Sequence, residues 1–206
     1  DRLRILQARG SYDFTDRWLG VNLIDIAVNQ GLQIFDASRR GDPVSRLTGA
    51  DGSFTYLNGT ISRLQHIVGG FALFAAVNAQ YSFDPLLPTE RFGVGGSQFG
   101  RGFAPGNITG DHGLAGKLEL QYGERIGHPI LDSYQAYTFL DGGCTWDLNT
   151  PNGRNELSST GIGVRLNINE RISINPELAQ QLSGTPADDP GQHRETRAFI
   201  TMVLRL

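Results

Sequence analysis

From Leu114 to Tyr122 the chain reads LAGKLELQY, with Leu114, Gly116, Leu118, Leu120 and Tyr122 alternating with Ala115, Lys117, Glu119 and Gln121. A period of two sends successive side chains to opposite faces of an extended strand, so this segment has one apolar and one polar face. The pattern returns at Ile162, Val164, Leu166 and Ile168 against Gly163, Arg165 and Asn167, and at Ile172, Ile174 and Leu178 against Ser173, Asn175 and Glu177. It closes the chain at Ile200, Met202, Leu204 and Leu206 against Phe199, Thr201, Val203 and Arg205. Further strands are read at about residues 2–13, 18–30, 50–64, 69–84 and 132–144. The alternation slips at Leu23-Ile24 and at Tyr56-Leu57, where a bulge fits. The reading is nine strands and no helix.

The connections between these strands alternate in length. Those near 14–18, 64–69, 124–131 and 168–171 are short, and those near 31–49, 85–112, 145–157 and 183–195 are long. Outer-membrane barrels have this asymmetry, with short periplasmic turns and long outer loops. Most segments also hold the roughly 9–11 residues that a tilted strand needs to cross the hydrocarbon layer, whereas strands of soluble proteins average about 5–6. The expected fold is all-β: an antiparallel transmembrane β-barrel. An open sheet edge in lipid leaves backbone groups unpaired at several kcal/mol each, and single-chain bacterial barrels have even strand numbers. Nine strands are therefore read as the C-terminal part of a larger barrel, with residues 1–206 all belonging to it. A soluble all-β ligand-binding domain is the alternative from another class.

Other classes find little support. There is no apolar run of about 18 residues to cross a bilayer as a helix. A net charge of −3, with arginines scattered among acids, gives no footprint for nucleic acid. One cysteine, Cys144, excludes an intrachain disulfide and a cysteine-rich metal site. His66, His112, His128 and His193 stand at no metal-ligand spacing, and VGGSQFG around Ser97 fits neither a nucleophile elbow nor a phosphate loop. No cofactor is expected, and the chain is not read as an enzyme.

The stretch FGVGGSQFGRGFAPGNITGDHG, residues 92–113, is Gly-rich, carries lone charges at Arg101 and Asp111, and has no run long enough for an ordinary strand or helix. Together with the LAGKLELQY strand, it resembles the last outward loop and next strand of the two-partner secretion transporters, the haemolysin secretion and activation type within the Omp85 superfamily. The matching features come in order: Glu90, the pair Gly95-Gly96, the triplet Arg101-Gly102-Phe103, the turn Gly110-Asp111-x-Gly113, and a strand carrying Glu119. The F-x-D-x-G motif of the family's next strand is matched by Phe139, Asp141 and Gly143 in FLDGG. Upstream, PVSRLTGADGSFTYLNGTISRLQHI resembles the Ser-Arg loop and strand before this region. Relatives carry Val before the triplet; Gly100 stands here, which suggests a looser loop tip.

The resemblance implies an expected 16-stranded barrel in the outer membrane of a Gram-negative bacterium, of which this chain supplies the last nine strands. The POTRA domains and first strands are then absent from it. It implies translocation of an unfolded secreted client protein, captured by the periplasmic POTRA domains and threaded outward, with outer-membrane lipid on the other face. An Omp85-type assembly barrel shares the motifs and is the second reading. The loop at 85–112 is expected to fold inward, with Arg101 gripping Asp141 and with Gly102, Phe103 and Phe139 beside them as its lock. Gly95, Gly96, Gly110 and Gly113 are the expected hinge, permitting turns and close backbone approach. Lys117, Glu119, Arg165, Glu177 and Arg205 are expected to line the lumen.

Overall fold

The polar/apolar alternation becomes one continuous sheet in the computed structural model, which describes residues 2–34, 49–128, 130–149, 153–169, 171–184 and 194–205. In chain order the strands are β1 (Ile5–Thr15), β2 (Val21–Gly31), β3 (Thr55–Val68), β4 (Phe71–Ser82), β5 (Phe92–Val94), β6 (Ile108–Gly110), β7 (His112–His128), β8 (Leu131–Trp146), β9 (Asn155–Asn167), β10 (Ile172–Ser183) and β11 (Thr196–Leu204). Nine of them form one antiparallel sheet in the order β1-β2-β3-β4-β7-β8-β9-β10-β11. The described residues include no helix. Each main strand pairs with its neighbour in sequence, so connections alternate between the two ends of the sheet. Those at 16–20, 69–70, 129–130 and 168–171 are short, and those at 32–54, 83–111, 147–154 and 184–195 are long. The edges β1 and β11 each have one partner, and the arc of barrel is not closed.

The two faces of the sheet are opposite to those of a soluble sandwich. Ile26, Leu57, Val77, Leu118, Leu140, Ile162, Leu178 and Ile200 are exposed. Asn29, Gln80, Glu119, Gln121, Asp141, Ser159 and Gln181 are buried on the other face. Apolar side chains outside and satisfied polar groups inside are what a lipid-facing wall around an aqueous bore requires.

The two slips in alternation are not bulges. Pairing of β2 with β3 runs unbroken through Leu23, Ile24, Tyr56 and Leu57. At the first, Asn22 lies opposite Arg63 next to a short turn, where Arg63 bonds to both Asn22 and Asp16, so polar residues interrupt the apolar row. At the second, Tyr56 faces the polar side and donates its hydroxyl to Glu90 at 2.9 Å. Register shifts occur instead at His66/Val68, Arg125/His128 and Gln181/Ser183, close to strand ends. The Gly-rich stretch also holds more order than its composition suggests, because β5 and β6 form a two-stranded ladder of Phe92↔Gly110, Gly93↔Thr109 and Val94↔Ile108. The last strand stops at Leu204, with the Arg205 amide bonded to the Arg171 carbonyl at 2.8 Å; Leu206 lies outside the described residues.

Candidate functional site: the docked loop and its carboxylates

The site begins with two missing side chains. Phe139 and Tyr137 of β8 stand directly opposite Gly161 and Gly163 of β9. A Cβ on Gly161 would come 2.5 Å from the Phe139 ring, and one on Gly163 would come 2.3 Å from the Tyr137 oxygen. With glycine there, both rings lie across the neighbouring strand and form an aromatic shelf, the two planes tilted by 36°. Guanidinium groups rest on it. Arg101 Cζ is 3.4 Å from the Phe139 centroid, and Arg165 Cζ is 4.0 Å from that of Tyr137. Such stacks suit Arg, whose planar and weakly hydrated cation keeps its edge free for hydrogen bonds.

Arg101 comes to the shelf from the connection between β4 and β7. That connection climbs through β5, reverses, and returns through β6. Its tip is closed on itself: the Gly95 amide donates to Phe99 O at 2.9 Å and the Gly96 amide to Phe103 O at 3.0 Å. Both glycines have positive φ, 119° and 89°. A side chain at Gly95 would strike the Ala104 carbonyl at 2.1 Å. Gly110 and Gly113 supply space and not left-handed geometry, since a Cβ on Gly113 would fall 1.9 Å from the Phe92 ring. Phe103 does not join Phe139. It is buried with Phe92, Val94, Ala115 and Leu157 in an apolar pad between loop and wall. Gly102 presses flat on the wall, its carbonyl accepting from Gln181 Nε2 at 2.9 Å.

Arg101 is 4% exposed and meets three carboxylates from three strands. Its Nε donates to Asp141 Oδ2 at 2.7 Å, and its backbone amide points to Asp141 Oδ1 at 3.3 Å. Nη1 lies 2.9 Å from Glu177 Oε2 and 3.0 Å from Glu119 Oε1. Each acid has further support. Ser159 donates to Asp141, Tyr137 to Glu177 at 2.6 Å, and Gln121 and Arg165 to Glu119 at 2.9 and 3.0 Å. With Lys117 on the same face, the cluster holds three cations and three anions. Pairing offsets the cost of burying Arg101, although its Nη2 has no hydrogen-bond partner among the described residues, and removing one partner of such a set costs about 3–5 kcal/mol.

Thus Arg101, Asp141, Phe139, Glu119, Glu177 and Arg165 meet in one cluster, with Lys117 beside it. Arg205 lies apart, exposed beyond β11. Ser45 and Arg46 of the upstream loop, and His193, fall outside the described residues. Ser159, Tyr137, Gln181 and the two β9 glycines carry no signal in the sequence, and neither does Asp111 as an anchor. Asp111 is buried at the base of the loop, where its carboxylate accepts the amides of Leu86 at 2.8 Å and Leu148 at 3.0 Å. His112, at 5% exposure, is spoken for: Nδ1 accepts the Ser82 amide at 3.2 Å and the ring packs on Tyr81. No group of metal-binding side chains occurs among the described residues.

Residues 12–166 match the family described as haemolysin secretion/activation protein ShlB/FhaC/HecB. The chain belongs to that family. Among solved structures, this ShlB/FhaC/HecB chain superposes on CdiB from Escherichia coli with a TM-score of 0.77 and 20% sequence identity. The match covers 98% of this chain and 36% of that one, so the chain spans about a third of CdiB. At that identity the likeness establishes the fold, an arc of an antiparallel β-barrel. No curated protein matches. Membership of the ShlB/FhaC/HecB family places the chain in the outer membrane of a Gram-negative bacterium.

Proposed function

We propose that this chain is the wall and gate of a two-partner secretion pore, through which an unfolded exoprotein passes from periplasm to cell surface. Segment 85–112 lies inside the bore at rest and obstructs it. The Arg101 cluster holds it there, and an entering client displaces it. Nothing in the step is catalytic, and folding of the client outside drives it forward. POTRA domains and the remaining strands, supplied by the complete protein, would recruit the client and close the barrel.

The observation that carries this reading is the burial of a loop guanidinium among carboxylates of β7, β8 and β10, on the sheet face opposite the exposed leucines and isoleucines. A loop serving only as an outer cap needs no such charge on the inner wall. The carboxylates that hold Arg101 all belong to the wall and survive its departure, so the attachment is reversible. The test is Arg101→Ala in the full-length protein. Barrel insertion, read as heat-modifiable gel mobility, should be kept, while secretion falls or single-channel conductance changes. Parental secretion and conductance in that variant count against the gate.

A further inference from the structure

Lys117 is the cation of the cluster that carries no ion pair. Among the described residues its Nζ meets only two aromatic rings, Phe74 at 5.4 Å and Phe99 at 5.5 Å from their centroids. Phe74 belongs to the wall, in β4. Phe99 belongs to the loop tip, four residues after Gly95. Yet Lys117 lies directly opposite Asp141 in the β7–β8 pairing. Residues so placed on one face have Cβ atoms about 4.5–5.5 Å apart, well within reach of a lysine side chain. Asp141 does not take it at rest because its oxygens are already engaged by Arg101 Nε, the Arg101 amide and Ser159.

When the tip leaves, both halves of this arrangement change together. Asp141 loses its guanidinium and keeps Ser159 alone. Lys117 loses the Phe99 ring that helped hold it away. Resting on the gate reading above, we propose that Lys117 is the replacement counter-ion of Asp141: it pairs with the carboxylate only in the undocked state and so sets how readily the gate opens. A ligand or side chain shifts a two-state equilibrium only through an interaction that differs between the states, and this pair supplies one. The wall ions left behind, Lys117 and Arg165 against Glu119, Asp141 and Glu177, then differ by one charge, with each remaining cation beside an acid.

The experiment is single-channel recording of the full-length protein in planar bilayers, scored as the fraction of time in the high-conductance state. Lys117→Met keeps the length that fills the space between the rings and removes the charge. Coupling energies of this kind correspond to about 5- to 150-fold, so Lys117→Met should lower the open fraction at least about fivefold. Lys117→Arg should stay near the parent. In an Asp141→Asn background, adding Lys117→Met should change the open fraction by less than about twofold, because the partner's charge is gone. A role in packing alone would give the same drop in both backgrounds, and that result overturns the proposal. So does a Lys117→Met channel that opens as often as the parent, or a Lys117→Arg channel as closed as Lys117→Met. If Lys117→Met fails to insert, Lys117→Gln replaces it with the same expectations. Should Arg101→Ala leave conductance unaltered, the gate itself is refuted; a normal response to Arg101→Ala with none to Lys117→Met refutes the counter-ion alone.

Discussion

The two ends of one loop are held by different chemistry. At the tip, Arg101 is bound by side chains of Asp141, Glu119 and Glu177, each with a further partner on the wall. At the base, the Asp111 carboxylate accepts two main-chain amides, and Gln80 donates to the carbonyls of Glu90 and Asp111 at 3.0 and 3.3 Å. Leu86 and Leu87 are fully buried beside them. A buried amide deprived of its acceptor has nowhere to go, because the backbone that carries it cannot swing to another group. The base therefore belongs to the fold, and the tip is the part that can be traded. The gate proposed above, which would come and go without unravelling the barrel, needs this division.

That contrast can be broken by mutation. The largest effect is expected for Arg101→Ala, which strips three carboxylates of their shared cation at about 3–5 kcal/mol against the docked tip. Cleavage of the 95–106 stretch by added protease should rise sharply, while the unfolding temperature of the detergent-solubilised barrel moves little. Asp111→Ala should show the reverse. It orphans the buried Leu86 amide at about 1–3 kcal/mol and takes the acceptor from the partly buried Leu148 amide, and the loss should appear in the unfolding temperature before it appears in conductance. Equal effects of the two variants on conductance would erase the distinction between tip and base. Gly102→Ala is expected to loosen the tip by about 1–3 kcal/mol, since the new methyl meets Ser159 Cβ at 3.0 Å and the Gln181 backbone at 3.1 Å. The protease assay should rank it below Arg101→Ala.

The smallest effect lies away from the loop, in the 16–20 turn. Arg63 holds the Asp16 carboxyl down to about 2, from 3.8 for a free aspartate, with backbone and Asn22 hydrogen bonds assisting. A depressed folded value means that the contribution of Asp16 is fully present above 3.8 and is lost as the pH falls towards about 2. Unfolding temperatures should thus be insensitive to this group from about pH 5 to neutrality. Asp16→Asn should flatten a modest acid-side slope, measured in detergent between about pH 4 and pH 2.

Much of the wall can be read in sequence because period two is a local property. Leu114, Leu118 and Leu120 against Lys117, Glu119 and Gln121 assign each residue to a face from its neighbours alone. Height on the wall is another matter. Which row Glu177 occupies relative to Asp141 depends on the pairing registers of β8, β9 and β10, which run unbroken from Ser173 to Gln181 and are set by the turns between the strands. Alternation assigns Glu177 and Asp141 to one face, while their meeting at one guanidinium follows from register. Gly161 and Gly163 look like weak strand residues in isolation and acquire their meaning only from the rings opposite them. Asp111 reads as a turn residue beside glycine, yet its partners lie 25 and 37 positions away. Tyr56 reads as a break in the pattern because an aromatic ring on the wet face mimics a slip of one residue.

The even balance of the cluster also has an electrical consequence. With the loop seated, this height of the wall presents equal numbers of fixed positive and negative groups and should discriminate little between potassium and chloride. Once Arg101 has moved off, one negative group is in excess at the same height, and permeation should tilt towards the cation. A reversal potential recorded across a salt gradient would then report the state of the proposed gate with no label attached to the protein.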